Sequence, residues 1–354
     1  VTAEPSGAAE PFDAAVRTVL RAASARELFG PPGPAHRERA RARYRELARA
    51  VHPDQAPPGR RAEATEAFTR LAARWAEHCL AAAVGTDEEF TLRTARGEYR
   101  VEARPEASGE MADLFPARRA GDDERLLLKL PRGADCNDLM ATEAEALTLL
   151  HTGGDPRFRP YAPRLVETFR HRDGDDGTER RANVLQRLDG FRSLAEVRDA
   201  FPGGVDPRDA AWMWRRLLVG IGWAHRAGVI HGAVLPEHVL IHPDDHGLAL
   251  VDWCYAVVRT GRITAIVSRY ADWYPPEVAE RRPAVPATDI ALATRCMVEL
   301  IGERIPPEMR AFARGCSLPA AERRPKDAWR LLAEFDDLLD RLYGPRVFRP
   351  FALP

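Results

Sequence analysis

From about Phe12 to Ala82 apolar residues recur with the period of helices, and after Gly85 they alternate as strands do. Pro- and Gly-rich breaks at 30–34 and 57–59 bracket the segment AHRERARARYRELARAV, in which Tyr44, Leu47, Ala48 and Val51 fall at i, i+3, i+4 and i+7 on one helix face. Arg37, Arg41, Arg45 and Arg49 form a ridge beside that face, and six Arg against Glu38 and Glu46 leave the segment at +4. A second segment, AEATEAFTRLAARWAEH, places Phe68, Leu71 and Trp75 at matching spacing. The two predict helices packed antiparallel across a short loop. The small, polar residues at the start predict a frayed end.

Past Gly85, Tyr99, Val101 and Ala103 alternate, a polar turn at Ser108-Gly109 leads into MADLFPARR, and LLLKL follows a Gly-Asp-Asp turn. Residues 171–179 read as a hairpin loop. From Asp206 the pattern is mostly helical, broken by short apolar strands at Val239–Ile241 and Leu248–Asp252. Strands first and helices later, over about 260 residues, predict an α+β fold of two lobes.

Composition narrows the field. A chain of 354 residues with 45% hydrophobic and 30% charged residues fits roughly two globular domains. A net charge of −1 gives no global pull toward nucleic acid or an anionic membrane, so neither is an expected partner. No apolar run approaches the ~18–20 residues that span a bilayer, and no charged-then-apolar leader pattern is present. The five cysteines are scattered and form no Cys-x-x-Cys pair, which predicts reduced thiols, no structural zinc and a cytoplasmic protein. Only Lys129 and Lys326 among the 52 basic residues are lysines, a bias of the kind a GC-rich genome imposes.

The loop between the two N-terminal helices begins Val51-His52-Pro53-Asp54-Gln55. Pro and Asp are ordinary turn residues, so the tripeptide alone also fits a plain helical hairpin. With YRELARAV before it, EAFTRLAARW after it and Leu28-Phe29-Gly30 upstream, the arrangement resembles the J-domain of DnaJ co-chaperones over roughly residues 24–80. The resemblance implies that His52, Pro53 and Asp54, with Arg41, Arg45 and Arg49 as docking charges, engage an acidic surface of a DnaK-type chaperone and stimulate its ATPase. Gln55 departs from the Lys that often follows, and no clear fourth helix is visible.

A second set of motifs runs through residues 90–343. VIHGAVLPEHVLIHPDDHGLALVDWC at 229–254 resembles the catalytic core of protein kinases, whose loop reads His-Arg-Asp-x-x-Pro-x-Asn. Aligned on His231, Pro236 and Glu237, it has Ala233 in place of the catalytic Asp and His238 in place of the metal-binding Asn. Lys129 in LLLKL matches the nucleotide-contacting strand Lys, Glu143 in EAEALTLL its helix partner, and Leu185, Gln186 and Leu188 the approach to the hinge. Asp252 in Val-Asp-Trp-Cys matches the metal-binding Asp of Asp-Phe-Gly, with Trp253 and Cys254 replacing Phe and Gly. Glu277 in YPPEV, Asp289 in ATDIALAT and Arg324 in ERRPKDAW match bracing residues of the helical lobe. The His-Gly start and the Asp-Trp pair are also similar to aminoglycoside phosphotransferases; Pro-Pro-Glu and Arg-Arg-Pro favour the protein-kinase branch.

The resemblances imply an α+β chain: an all-α J-domain-like hairpin in 1–88, a protein-kinase-like domain with a β-rich N-lobe and an α-helical C-lobe in 89–345, and a tail at 346–354. Three departures bear on chemistry. Ala233 cannot accept a proton, a function worth about 10²–10⁴ in rate. His238 offers nitrogen where Mg²⁺ prefers oxygen. Between Ala103 and Met111 the expected phosphate loop has one glycine, Gly109, where several would let backbone N–H groups approach phosphate. Lys129 and Glu143 fit either nucleotide contact or an ion pair that positions a helix, and Asp252 fits either metal binding or a core hydrogen bond. The leading expectation is a non-catalytic J-domain/pseudokinase adaptor that binds a DnaK-type chaperone and an unidentified client. It requires no cofactor, with ATP, with or without Mg²⁺, as a candidate ligand and Asp252 as the candidate metal ligand. The alternatives are a divergent kinase or nucleotide transferase using Glu237, Asp244 or Asp245 as base, and a purely structural subunit.

Overall fold

The computed structural model describes residues 9–31, 36–53, 56–57, 59–83, 89–122, 124–172 and 178–353. The chain divides into two compact units, Val1–Thr91 with Arg100–Pro105, and Leu92–Tyr99 with Glu106–Pro354. The architecture is mixed, with a curled antiparallel sheet and many helices.

The first unit holds α1 (Ala9–Arg21), α2 (Ala25–Phe29), α3 (Arg37–Ala50) and α4 (Arg61–Ala83). Its core takes Phe12, Val16 and Val19 from α1, Leu28 and Phe29 from α2, Leu47 from α3, Val51, and Ala64, Ala67 and Leu71 from α4. Tyr44 stacks on Trp75 at 4.8 Å, and His52 sets its ring edge-on to Phe68 at 5.4 Å. Advancing along α3 therefore means receding along α4, the antiparallel arrangement that the apolar spacing predicts. Arg60 ties α1 to the start of α4: it pairs with Asp13, reaches Glu63 at 2.6 Å and lies 5.0 Å over the Phe12 ring.

The sheet comprises β1 (Glu89–Thr94), β2 (Gly97–Glu102), β3 (Ala107–Ser108), β4 (Ala112–Arg119), β5 (Arg125–Pro131), β6 (Leu165–Arg172) and β7 (Glu179–Gln186). Its order is β1-β2-β4-β5-β7-β6, with β3 beside β4. Helix α5 (Asn137–Gly153) connects β5 to β6 and buries Met140, Leu147 and Leu150. Although β1 and β6 end the strand order, Thr94 and Tyr99 both donate hydroxyl hydrogen bonds to Glu167 Oε2 on β6 at 2.9 Å. Glu167 follows a bulge in the β6–β7 register and is buried. Bulges bend a strand and re-aim its side chains, and here the re-aimed carboxylate joins the two ends of the curled sheet.

The helical part follows as β8 (Arg192–Ser193), α6 (Leu194–Ala200), α7 (Pro207–Arg226), β9 (Val229–Ile230), β10 (Val239–His242), β11 (Gly247–Leu250), β12 (Val257–Val258), α8 (Pro276–Ala279), α9 (Pro286–Ile301), α10 (Pro307–Cys316) and α11 (Ala328–Tyr343). Helix α7 starts where its sequence says, with Asp206 capping the Arg208 N–H and Pro207 in the first turn. Trp214 at its centre is fully buried against Phe312 and Phe335. The strand predicted over Leu248–Asp252 stops at Leu250, because Asp252 turns into left-handed backbone at φ 64°. The segment after α11 is docked: Phe351 is buried against Trp212 and Phe201, and Arg349 pairs with Asp209 at 3.0 Å. Among the described residues, no helix is long and apolar enough to cross a membrane.

Removing Glu167 leaves two hydroxyls without their acceptor, so Glu167→Ala should cost about 2–4 kcal/mol and Tyr99→Phe about 1 kcal/mol in denaturant unfolding. A Glu167→Ala cost below about 0.5 kcal/mol would show that this carboxylate does not hold the sheet closed.

Candidate functional site

Register places Lys129 at the centre of the sheet, opposite Leu114 on β4 and Asn183 on β7. Its Nζ donates to Glu143 Oε1 on α5 at 2.8 Å. Asn183 holds the same carboxylate from the other side, donating to Glu143 Oε2 at 2.9 Å and to the Met140 carbonyl at 3.0 Å. Lys129 also forms a short ion pair with Asp252 Oδ1. All three residues beside Asp252 in this network are buried.

Asp252 itself is covered on both oxygens. Oδ1 takes Lys129 and the Cys254 thiol at 3.0 Å, while Oδ2 faces His238 Nε2 at 3.1 Å. Burial alone would push this carboxyl up; Lys129, then His238 and the thiol, outweigh it and hold it well below the ordinary carboxylate range. Burial would likewise lower the Lys129 ammonium, but Asp252 and Glu143 hold it well above its ordinary value. His238 Nδ1 lies 2.9 Å from the Ala233 carbonyl oxygen. Both ring nitrogens thus face oxygen atoms of this same chain.

The loop 231–238 is braced from below. Asp289 accepts the backbone N–H groups of His231 at 2.8 Å and Gly232 at 2.9 Å, and contacts His225 Nε2 at 2.9 Å. Arg324 bonds Glu277 at 2.5 Å and the Ala287 carbonyl at 3.1 Å, and the Thr288 hydroxyl donates to Glu277 at 2.9 Å. His231 meets backbone groups at both ring nitrogens. Its Nδ1 accepts from the Ala233 N–H at 3.3 Å and its Nε2 bonds the Val251 carbonyl at 3.0 Å, the pattern of a neutral ring. Burial lowers its pKa to about 4. Gly232 has φ 77°, and a Cβ there would lie 2.4 Å from the Tyr255 carbonyl oxygen.

Lys129, Glu143, Asp252, His231, Ala233 and His238 therefore belong to one connected neighbourhood. Leu185 pairs with Leu127, two positions along β5 from Lys129. Gln186 exchanges hydrogen bonds with the Arg164 backbone at 2.9 and 3.3 Å, and Leu188 lies beyond the end of β7. Of the residues considered as substitute bases, Glu237 is held at Oε1 by the Tyr270 hydroxyl at 2.8 Å and Arg269 at 2.9 Å. Asp244 and Asp245 lie in the turn joining His242 to Gly247. Three strand steps, about 10 Å, separate that turn from the Val239–Leu250 end that leads to His238 and Asp252.

The Gly109 N–H is spent inside its own hairpin on the Ala112 carbonyl at 2.9 Å. Mg²⁺ takes about six hard oxygen ligands in near-ideal octahedral geometry. The residues at Asp252 do not fit it: one carboxylate with both oxygens engaged, and an imidazole with both nitrogens engaged. Among the described residues no cluster of three or more His, Cys, Asp or Glu is arranged to hold a metal. Sequence reasoning missed Asn183 and Cys254 as parts of this network; an Asn amid an apolar strand was the available signal.

In the helical unit, Arg41, Arg45 and Arg49 are exposed along α3, and half-buried His52 and Pro53 follow its end. Asp54 lies outside the described residues. No family model matches the chain.

His231 binds a proton more readily unfolded than folded, so its stabilising contribution is present above about pH 6.5 and lost as pH falls toward 4. Denaturant midpoints measured from pH 7 to 4 should fall less steeply in His231→Asn than in the wild type; equal slopes would contradict a neutral buried ring. Gly232→Arg should cost more than about 2 kcal/mol, since it combines left-handed strain with a backbone clash.

Proposed function

We propose that the chain is a non-catalytic fusion of a J-domain-like helical module with a pseudokinase-like domain, and that it acts by binding. The observation that carries this reading is the state of Asp252. A carboxylate that should serve a metal-bound nucleotide is instead satisfied by Lys129, His238 and Cys254 from the same chain. Ala233 places a fully buried methyl group where a base is needed. The Gly109 N–H, spent in its own turn, offers nothing to a phosphate.

The helical module supports the adaptor half. A helix bearing exposed Arg45 and Arg49 leads into His52-Pro53, and an antiparallel partner helix backs it through Tyr44–Trp75 stacking. Such a surface suits an acidic protein partner, a DnaK-type chaperone ATPase in this reading. The kinase-like domain then recognises a client protein. Glu237, the substitute base within the loop, is engaged at Oε1 by Tyr270 and Arg269, which weighs against the enzymatic alternative.

Purified protein incubated with γ-labelled ATP and Mg²⁺ or Mn²⁺ should transfer no label above the background of Lys129→Ala and Asp252→Ala. Transfer that both substitutions abolish would overturn the non-catalytic reading. A DnaK-type chaperone should hydrolyse ATP faster in the presence of the full chain, and His52→Gln or the double substitution Arg45→Glu/Arg49→Glu should remove the stimulation. Stimulation indifferent to these residues would refute the J-domain half.

A further inference from the structure

Residues 345–353 leave α11 without regular secondary structure and lie along the helical part. Three side chains hold them there. The Phe351 ring is 6% exposed and meets Phe201 at 5.7 Å and Trp212 at 6.1 Å. Arg349 spans the Asp209 carboxylate, Nε to Oδ1 at 3.0 Å and Nη2 to Oδ2 at 3.4 Å. Phe348 stacks on the His246 imidazole at 4.4 Å, and that ring stacks in turn on the Trp212 indole at 4.1 Å and 5°. Phe201 follows α6, Asp209 and Trp212 belong to α7, and His246 lies in the β10–β11 turn, so three elements build one groove. Arg216 Nε donates to the His246 carbonyl at 3.1 Å and ties that turn to α7.

The fit is that of a short peptide ligand, read through its side chains. Among the described residues no backbone-to-backbone hydrogen bond joins 345–353 to the rest of the chain. One buried aromatic anchor beside a half-exposed ion pair and an open rim is the anatomy of a recognition site. Val347 and Phe348, 77% and 63% exposed, are the most exposed large apolar side chains among the described residues. The segment also has room to swing. It departs from Gly344 at φ 76°, a conformation that favours glycine, and a cavity of about 430 Å³ lined by Arg215, Asp336, Asp340, Gly344, Pro345 and Arg346 opens at that point. Segments held by so few buried contacts open locally at a small part of the global unfolding free energy.

We propose that this groove recognises an extended segment of a protein partner with the pattern aromatic–Arg–x–aromatic, and that Phe348, Arg349 and Phe351 are its built-in competitor. The inference rests on the binding reading above and gives the client its chemistry: one ring for the Phe201–Trp212 pocket, a guanidinium for Asp209 and a second ring for the face of His246. The tether presents the competitor at an effective concentration on the order of millimolar. A partner therefore enters only when it binds tightly or is itself held close by.

A fluorescein-labelled peptide with the sequence of residues 346–353, RVFRPFAL, titrated into the full chain and followed by fluorescence anisotropy, tests this. In Arg349→Ala/Phe351→Ala the tethered competitor is released. The peptide should bind that variant at least about tenfold tighter than the wild type, because the open groove is no longer a minor state. Adding Asp209→Ala should reverse most of the gain, and a peptide with both Phe replaced by Ala should show none. A released variant whose melting curve matches the wild type, yet binds RVFRPFAL no tighter, would overturn the proposal. So would equal binding of the peptide that lacks both rings. If the double variant fails to fold, Arg349→Ala alone, at a side chain 40% exposed, replaces it, and the same two results decide. Either result sinks this inference and leaves the adaptor reading standing, since label transfer and the chaperone ATPase decide that reading separately.

Discussion

A half-buried carboxylate set among buried groups is stable when its charge is answered, and Asp252 is answered from two directions. Lys129 reaches it from the sheet, and His238 reaches it from the loop ahead of β10. Removing one partner from such a group leaves an uncompensated charge, typically about 3–5 kcal/mol of destabilisation. The sheet, α5 and the loop 231–238 therefore depend on each other through one side chain. Glu143 and Asn183 extend the dependence into α5 and β7, since they fix where the Lys129 ammonium can sit.

The two histidines of the loop show how environment divides roles between identical side chains. His231 stacks against Trp253 at 4.4 Å and bonds backbone groups, so burial keeps it neutral. His238 has the Asp252 carboxylate at one nitrogen and the Ala233 carbonyl at the other. Gly232 between them permits the tight path, with backbone that a side chain would obstruct. Asp289 then fixes the loop by taking two of its N–H groups on one carboxylate. The loop so braced is buried along nearly its whole length, with Ala233 fully enclosed.

Much of this was legible in the residues. The 3.6-residue spacing of Tyr44, Leu47 and Val51 located α3, and the rarity of lysine drew attention to Lys129. The alternation around Tyr99 and Val101 marked β2, because a two-residue period needs only one buried face. What escaped was set by tertiary contact. The curl of the sheet depends on Glu167 meeting Thr94 and Tyr99 some 70 positions away, and no local period encodes such a pairing. The early end of the strand at Leu250 follows from the left-handed backbone of Asp252, a conformation chosen by its partners. His238 read as a mere loss of a metal ligand, because its second acceptor, the Ala233 carbonyl, is a backbone atom without a sequence signature.

The central physical claim is that His238 and Asp252 interact strongly in the ligand-free protein, and a double-mutant cycle measures that directly. Unfolding free energies of the wild type, His238→Ala, Asp252→Ala and the double variant should give a coupling of about 1–3 kcal/mol, within the range for residues sharing one charge network. A coupling of less than about 0.3 kcal/mol, the value for independent sites, would mean that Asp252 does not rely on His238. Asp252 would then not be held by its own chain through His238.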